Sequence, residues 1–146
     1  MKWQIWTIGK PKLTYARLGV EEYLKRVEGF ANFELHHLKN SDTTRESTQL
    51  LEHTVDTFRI VLDERGELVT SRLLSLHMGN WEQQSIKTVS LIIGGADGHT
   101  AELRSKADWL WSLSTLTLQH EMALVFVLEQ IYRAYTIRKG LPYHRE

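Results

Sequence analysis

Three stretches of this chain hold the residues best suited to chemistry: a glycine turn, an apolar loop and a basic aromatic tail. Gly94-Gly95-Ala96-Asp97-Gly98 directly follows the apolar run Val89–Ile93. Glycines there let the backbone take positive φ and bring bare amides against a ligand, although a tight strand-to-helix turn accounts for them equally well. The G-x-G-x-x-G spacing is absent and no Gly-Lys-Ser/Thr follows, so neither a dinucleotide fingerprint nor a phosphate loop is present. From Leu113 to His120, Leu113, Leu116 and Leu118 alternate with Ser and Thr. Lying over a pocket, such a segment would hold a flat aromatic ring while its backbone read the ring's edge. By pattern alone it is an extra strand. The tail Tyr143-His144-Arg145 joins a stacking surface, a titratable group and a phosphate ligand in a place where chains are often disordered.

Other chemistries are excluded. The chain has no Cys, which removes disulfides, thiolate nucleophiles and Cys-based metal sites. His36, His37, His53, His77 and His99 lack partners at ligand spacing, so no metal is expected. His120 stands before a long helix, where capping is the modest role. Trp109 and Trp111 share one face of a strand and are candidates for a subunit contact.

The 146 residues suit one domain, 1–146, and 42% hydrophobic with 25% charged residues is ordinary globular composition. No signal peptide or membrane span is evident, which reads as a cytoplasmic protein with no membrane partner. Lys+Arg and Asp+Glu number 18 each. A nucleic-acid binder that relied on bulk electrostatics would be basic, so the balance argues mildly against such a partner. The distribution differs from the sum: residues 1–30 carry six basic and three acidic side chains, and residues 130–146 four against one. Between them, residues 31–70 carry four against eight.

The elements that must position these residues alternate. Lys2–Ile8 reads as a strand, Leu13–Gly29 as a helix, Phe33–Leu38 as a strand, and Asn40–Thr44 as a capping loop before a helix through Leu50 and Leu51. Phe58–Asp63 is a third strand stopped by Glu64-Arg65-Gly66. A helix opened by Thr70 or Ser71 is weakened at Gly79-Asn80. Val89–Ile93 is a doubly buried strand, followed by a short helix over Ala101–Lys106 and the strand at Asp108–Leu113. The long helix from Glu121 to about Arg138 is apolar around much of its girth, which predicts burial against two surfaces. The expected fold is α/β, a mostly parallel sheet flanked by helices, with ligands at the carboxyl ends of its strands after Leu62, Ile93 and Leu113.

Taken together, the strand running into Ile-Ile-Gly-Gly-Ala-Asp-Gly, then Trp-Ser-Leu-Ser-Thr-Leu-Thr-Leu-Gln-His, Glu-Gln-Ile-Tyr-Arg-Ala and the terminal Pro-Tyr-His-Arg-Glu resemble the RlmH family of SPOUT-class RNA methyltransferases. The resemblance spans essentially the whole chain. It implies a C-terminal trefoil knot, a homodimer and S-adenosylmethionine (SAM) held by the knot loops. The implied reaction is N3-methylation of a pseudouridine in 23S rRNA of the ribosome, with no role for DNA. Carried over by position, cofactor contacts fall on Leu62, Gly94, Leu113, Ser114, Thr115, Leu116, Thr117 and Leu118. Tyr143, His144 and Arg145 match a catalytic tail that crosses the dimer. Arg145 would bind phosphate or a developing oxyanion, and His144 or a water it orients would accept the N3 proton.

Two departures stand out. The family's Pro before the loop histidine is Gln119 here, which loosens the loop end. Its common Arg in the long helix is Leu124, which removes a cation. These changes support an alternative, a weak or inactive paralogue serving as an RNA- or ribosome-binding module. An unrelated nucleotide-binding α/β enzyme is the third reading. In a dimer with crossed tails, the two basic ends would gather around one cleft.

Overall fold

The computed structural model describes residues 1–146. The order is β1 (Lys2–Ile8), α1 (Thr14–Val27), β2 (Asn32–Leu38), α2 (Thr43–His53), β3 (Phe58–Leu68), α3 (Ser71–Gln83), β4 (Thr88–Ile92), α4 (Ala101–Ser105), β5 (Trp109–Ser112) and α5 (His120–Lys139). The strands form one sheet in the order β2-β1-β4-β3-β5, and every pair is parallel. The expected α/β class is therefore met.

Central strands buried on both faces explain the apolar runs. One face carries Trp3, Ile5, Ile60, Val89 and Leu91 against α1, α3 and α5, where Leu74, Met78, Leu128 and Ile131 are fully buried. The other carries Trp6, Ile8, Val61 and Ile92 against Leu50 of α2 and Leu103 of α4. α5 buries Leu124, Val127, Leu128, Ile131, Ala134 and Tyr135, and half-buries Val125 and Phe126. Its packing against both the sheet and the α1 flank is the two-surface burial that the sequence predicts; Val125 lies over Gly19 of α1.

Four expectations change. β3 does not stop at Glu64-Arg65-Gly66. Leu62 and Glu67 both lie opposite Trp111, so Asp63–Gly66 loop out and the strand resumes at Glu67 and Leu68. The return passes so close to β5 that a Cβ at Gly66 would stand 2.6 Å from the Leu110 carbonyl; only glycine fits there. The segment after β5 is not an extra strand. Ser112 Oγ donates to the Ser114 carbonyl at 3.0 Å, and Ser114 Oγ accepts from the Leu116 amide at 3.0 Å. These local bonds turn the chain where a ladder would have extended it. α3 runs on through Gly79 and Asn80 to Gln83 because Leu74, Met78 and Trp81 anchor it in the core. Trp111 is buried within the chain and half-buried Trp109 stacks on it at 4.9 Å, beside Trp81, so the pair packs in the core of the chain itself, a role its pattern did not suggest.

Candidate active site

β3, β4 and β5 release their loops at the same carboxyl edge, where parallel sheets leave a crevice. The cleft there holds about 380 Å³. Leu62 to Arg65 form one wall, Ile93 to His99 the second, and Ser112 to Ser114 with Leu116 to Leu118 the third; Arg104, His120 and Ala123 close it. Of the sequence-predicted cofactor residues, Leu62, Gly94, Leu113, Ser114, Leu116, Thr117 and Leu118 meet here. Thr115 belongs to the same loop but not to the wall.

Gly94 is a glycine because of what lies beneath it. An added Cβ would come within 2.9 Å of His99 Cε1 and 3.1 Å of Nε2. His99 is only 8% exposed, and its Nε2 has no hydrogen-bond partner. Burial pushes its imidazole below the usual histidine range, against the pull of nearby Asp63, so the ring is neutral at pH 7. Sequence reasoning passed over His99 because it has no partner along the chain; its partners come from β3 and β4.

The looped-out residues of β3 were missed as well, having been read as a strand stop. Asp63, whose side chain is 5% exposed, accepts from the Arg65 amide at 2.9 Å and lies 3.8 Å from Arg104 Nη1. Arg104 in turn donates to the His99 carbonyl at 2.7 Å. Asp63, Glu64 and Asp97 face Arg65 and Arg104 around the cleft, leaving one negative charge in excess. Only a motif-level reading of Asp-Glu-Arg-Gly as a bulge could have found this wall.

A second buried carboxylate braces the site from outside. Glu121, 7% exposed, accepts the Lys12 amide at 2.6 Å and the Leu13 amide at 3.0 Å. These amides hold its carboxyl below the usual range and fasten the β1–α1 loop to the start of α5.

The tail residues are elsewhere. α5 runs about 30 Å at ~1.5 Å per residue from the cleft to the opposite edge. Past its end the chain folds back along the helix: Tyr143 meets Tyr132 edge-on at 4.7 Å, lies under the Arg133 guanidinium at 4.8 Å, and its hydroxyl is 3.1 Å from that of Tyr23. Burial, then the Tyr23 hydroxyl, push the Tyr143 phenol far above its usual range. Glu129 holds Arg133 at 2.7 Å, and Arg133 Nη1 donates to His144 Nδ1 at 3.2 Å. A guanidinium can only donate, so neutral His144 carries its proton on Nε2, which faces Glu146 at 3.5 Å. Glu146 also pairs with Arg72. Within one chain, the tail and the cleft do not meet.

The model of the family described as "Predicted SPOUT methyltransferase" matches residues 1–144. The chain belongs to the SPOUT methyltransferases. It is 43% identical over 145 residues to "Ribosomal RNA large subunit methyltransferase H" of Thermus thermophilus, covering 99% of each chain. A protein of the same name from Methylobacillus flagellatus is 37% identical over 156 residues, with 100% of both covered. Among solved structures, a probable methylase family protein from Haemophilus influenzae superposes with TM-score 0.60 at 11% identity, over 99% of this chain and 70% of that one. A probable methyltransferase from Bordetella pertussis gives TM-score 0.57 at 10% identity, over 91% and 95%.

Against the family pattern, the two departures in this SPOUT chain take on a structural meaning. Gln119 has a role of its own: its Oε1 accepts the Glu121 amide at 2.9 Å and the Met122 amide at 3.0 Å, capping α5. Leu124 leaves no surface gap. It is 2% exposed and packs behind Gly94 with Ile8, Pro11 and Ile93, around a void of about 10 Å³.

Proposed function

We propose that this SPOUT chain transfers the methyl group of SAM to N3 of a pseudouridine in 23S rRNA of the large ribosomal subunit. It does so in the cytoplasm, as a homodimer in which each tail serves the partner's cleft. One observation carries this reading: Leu62, Gly94 and the Leu113–Leu118 loop, far apart in sequence, converge on a single cleft. Full-length relatives bearing the name of a large-subunit rRNA methyltransferase support the substrate.

SAM fits the cleft on several counts. About 380 Å³ lies in the range of small-molecule sites, ~300–1,000 Å³. Leu113, Leu116 and Leu118 offer apolar cover for adenine, and the bare backbone at Gly94 allows close approach. The excess negative charge from Asp63, Glu64 and Asp97 suits a ligand that carries a sulfonium and an ammonium against one carboxylate. When bound, SAM supplies an electrophilic methyl whose S–C bond breaks as the N–C bond forms, the electron pair staying on sulfur.

The chain's own work is then positioning and management of one proton. Arg145, exposed at the tail, binds a phosphate or the uracil oxyanion that develops as N3 loses its proton. His144, with Nδ1 accepting from Arg133, has Nε2–H as its one donor; turned from Glu146, it donates to a base oxygen, and the N3 proton passes to solvent instead of to the imidazole. Tyr143 fixes the tail by its contacts with Tyr132 and Arg133 and offers an edge for stacking.

A trefoil knot formed by the segments after β4 and β5 would hold both cofactor loops. The dimer would bury an apolar surface that one chain leaves open: Leu13, Tyr15, Leu18 and Met122 are 43%, 46%, 62% and 41% exposed. Leu13 and Met122 are neighbours through the Glu121 bridge.

Methyl transfer from labelled SAM to large ribosomal subunits lacking the modification, with mapping of the product base, tests the proposal. Label on N3 of one pseudouridine is the expected result. Absence of SAM binding by calorimetry, or label on another nucleotide, would overturn the cofactor or the substrate respectively.

A further inference from the structure

Ion pairs hold eight of the 18 Lys and Arg side chains, and of the others four gather beside the cleft. Arg65 and Arg104 serve Asp63, Arg133 serves Glu129, and Arg138 serves Glu82. Lys10, Lys12, Lys39 and Arg45 are not accounted for. All four are exposed, and none is paired with a carboxylate.

Their placement is set by the fold. Lys10 and Lys12 lie in the loop after β1, Lys39 in the loop after β2, and Arg45 in the first turn of α2. β2, β1 and β4 are parallel neighbours, so these loops leave the same edge as the cleft. At ~4.8 Å between strands, the β2 loop stands roughly 10 Å from the glycine turn.

The loops are fastened there. The Gly9 amide donates to the Leu38 carbonyl at 2.7 Å, joining the two loops. Glu121 fixes the Lys12 amide to α5. Glu46, 5% exposed, accepts the Ser41 amide at 2.8 Å, while its other oxygen lies 3.7 Å from where a Cβ of Gly95 would be.

Acids nearby offset part of the charge: buried Glu46 and Glu121 and exposed Asp42, which caps α2 through the Arg45 amide at 2.8 Å, stand among these loops. Four cations against three carboxylates leave this stretch positive by one, beside a cleft that is negative by one.

We propose that Lys10, Lys12, Lys39 and Arg45 form a phosphate-binding strip that seats the sugar–phosphate backbone of the RNA substrate next to the cleft. The assignment rests on the proposed rRNA methyl transfer and adds the surface that holds the RNA. Phosphate contacts position a nucleic acid without reading its sequence, so base choice stays with the cleft and tail.

The test is a Lys10→Gln/Lys39→Gln/Arg45→Gln triple variant. KM is measured on unmodified large ribosomal subunits from 50 to 200 mM KCl at fixed magnesium, and SAM affinity by calorimetry. Each lost phosphate contact lowers the salt slope by about 0.7–0.9, so the dependence of log KM on log salt should flatten by about 2. KM should rise about tenfold or more at low salt, with SAM affinity within about twofold. Lys87→Gln, at the opposite edge of the sheet before β4, should move neither quantity. Unchanged KM and slope in the triple variant, alongside normal transfer by the parent, would overturn the strip alone. An equal effect from Lys87→Gln would overturn it too. No transfer by the parent protein would overturn the rRNA reading and the strip with it.

Discussion

The carboxyl edge of this sheet and the C-terminal tail are held by different means. At the carboxyl edge, buried Glu46, Asp63 and Glu121 fasten loop amides, and glycine lets His99 sit directly under the chain. The tail, folded back along α5, is held by side chains near the surface: ring against ring, guanidinium over ring, and a terminal carboxylate shared by Arg72 and His144. The first is a rigid, preformed receptor. The second is an arm made of contacts that water and salt weaken. The cleft and the resting place of the tail are about 20 Å apart along α5, from His120 to Tyr132 and Arg133 at ~1.5 Å per residue. The proposed homodimer with crossed tails would bring them together.

The largest effect should come from breaking that division. Arg145→Ala should lower kcat about 10²–10³-fold, the typical cost of losing an oxyanion donor, with SAM affinity unchanged by calorimetry. Mixed with a Gly94→Val chain, it should regain part of the lost transfer, because a mixed dimer still has one intact cleft facing one intact tail. No recovery would mean that the tail serves its own cleft. Alone, Gly94→Val should weaken SAM binding about 10–100-fold, since overpacking typically costs ~1–3 kcal/mol and the new side chain meets the His99 ring.

Glu121→Gln sharpens the comparison at the level of stability. The folded carboxyl titrates below its unfolded value, so its stabilisation is complete above the ordinary carboxylate range and is lost as pH falls through the lowered folded value. The variant should melt roughly 2–4 °C lower at pH 7, and the gap should close in acid; a constant gap would remove the charge from the account. The smallest effect is Gln119→Ala, about 1 kcal/mol or less in denaturant unfolding, for loss of the α5 cap.

Much of the fold was legible in the residues. Alternation of β-branched strands with amphipathic helices predicted the parallel sheet, and the apolar run before Gly94 predicted where a ligand would sit. The Leu113–His120 segment was not legible from its pattern, because alternating Leu and Ser/Thr looks the same in a strand and in a turn held by Ser112 and Ser114. Nor was His99. A buried side chain is recognised by what surrounds it, and Leu62 and Asp63 are brought to His99 by β3, more than 30 residues away, while Gly94 comes back over it from five residues earlier. The core packing of Trp109 was hidden for the same reason: its neighbours Trp81 and His77 come from α3.

The sequence by itself determined the class of fold, the family pattern, the glycine turn and the residues of the tail. These are properties of local periodicity and of residue types in fixed order. Only the tertiary structure decided where the charges act. The basic ends of the chain do not share one cleft within a subunit. Lys10 and Lys12 stand at the carboxyl edge, whereas Arg138 lies near the far end of α5 and the tail folds back onto Arg133 and Arg72, because α5 carries the chain away from the cleft. Net charge is a sum over residues, whereas a field depends on which acids are buried as braces and which cations remain exposed. Chain order does not contain that distinction, since burial is set by contacts between distant segments.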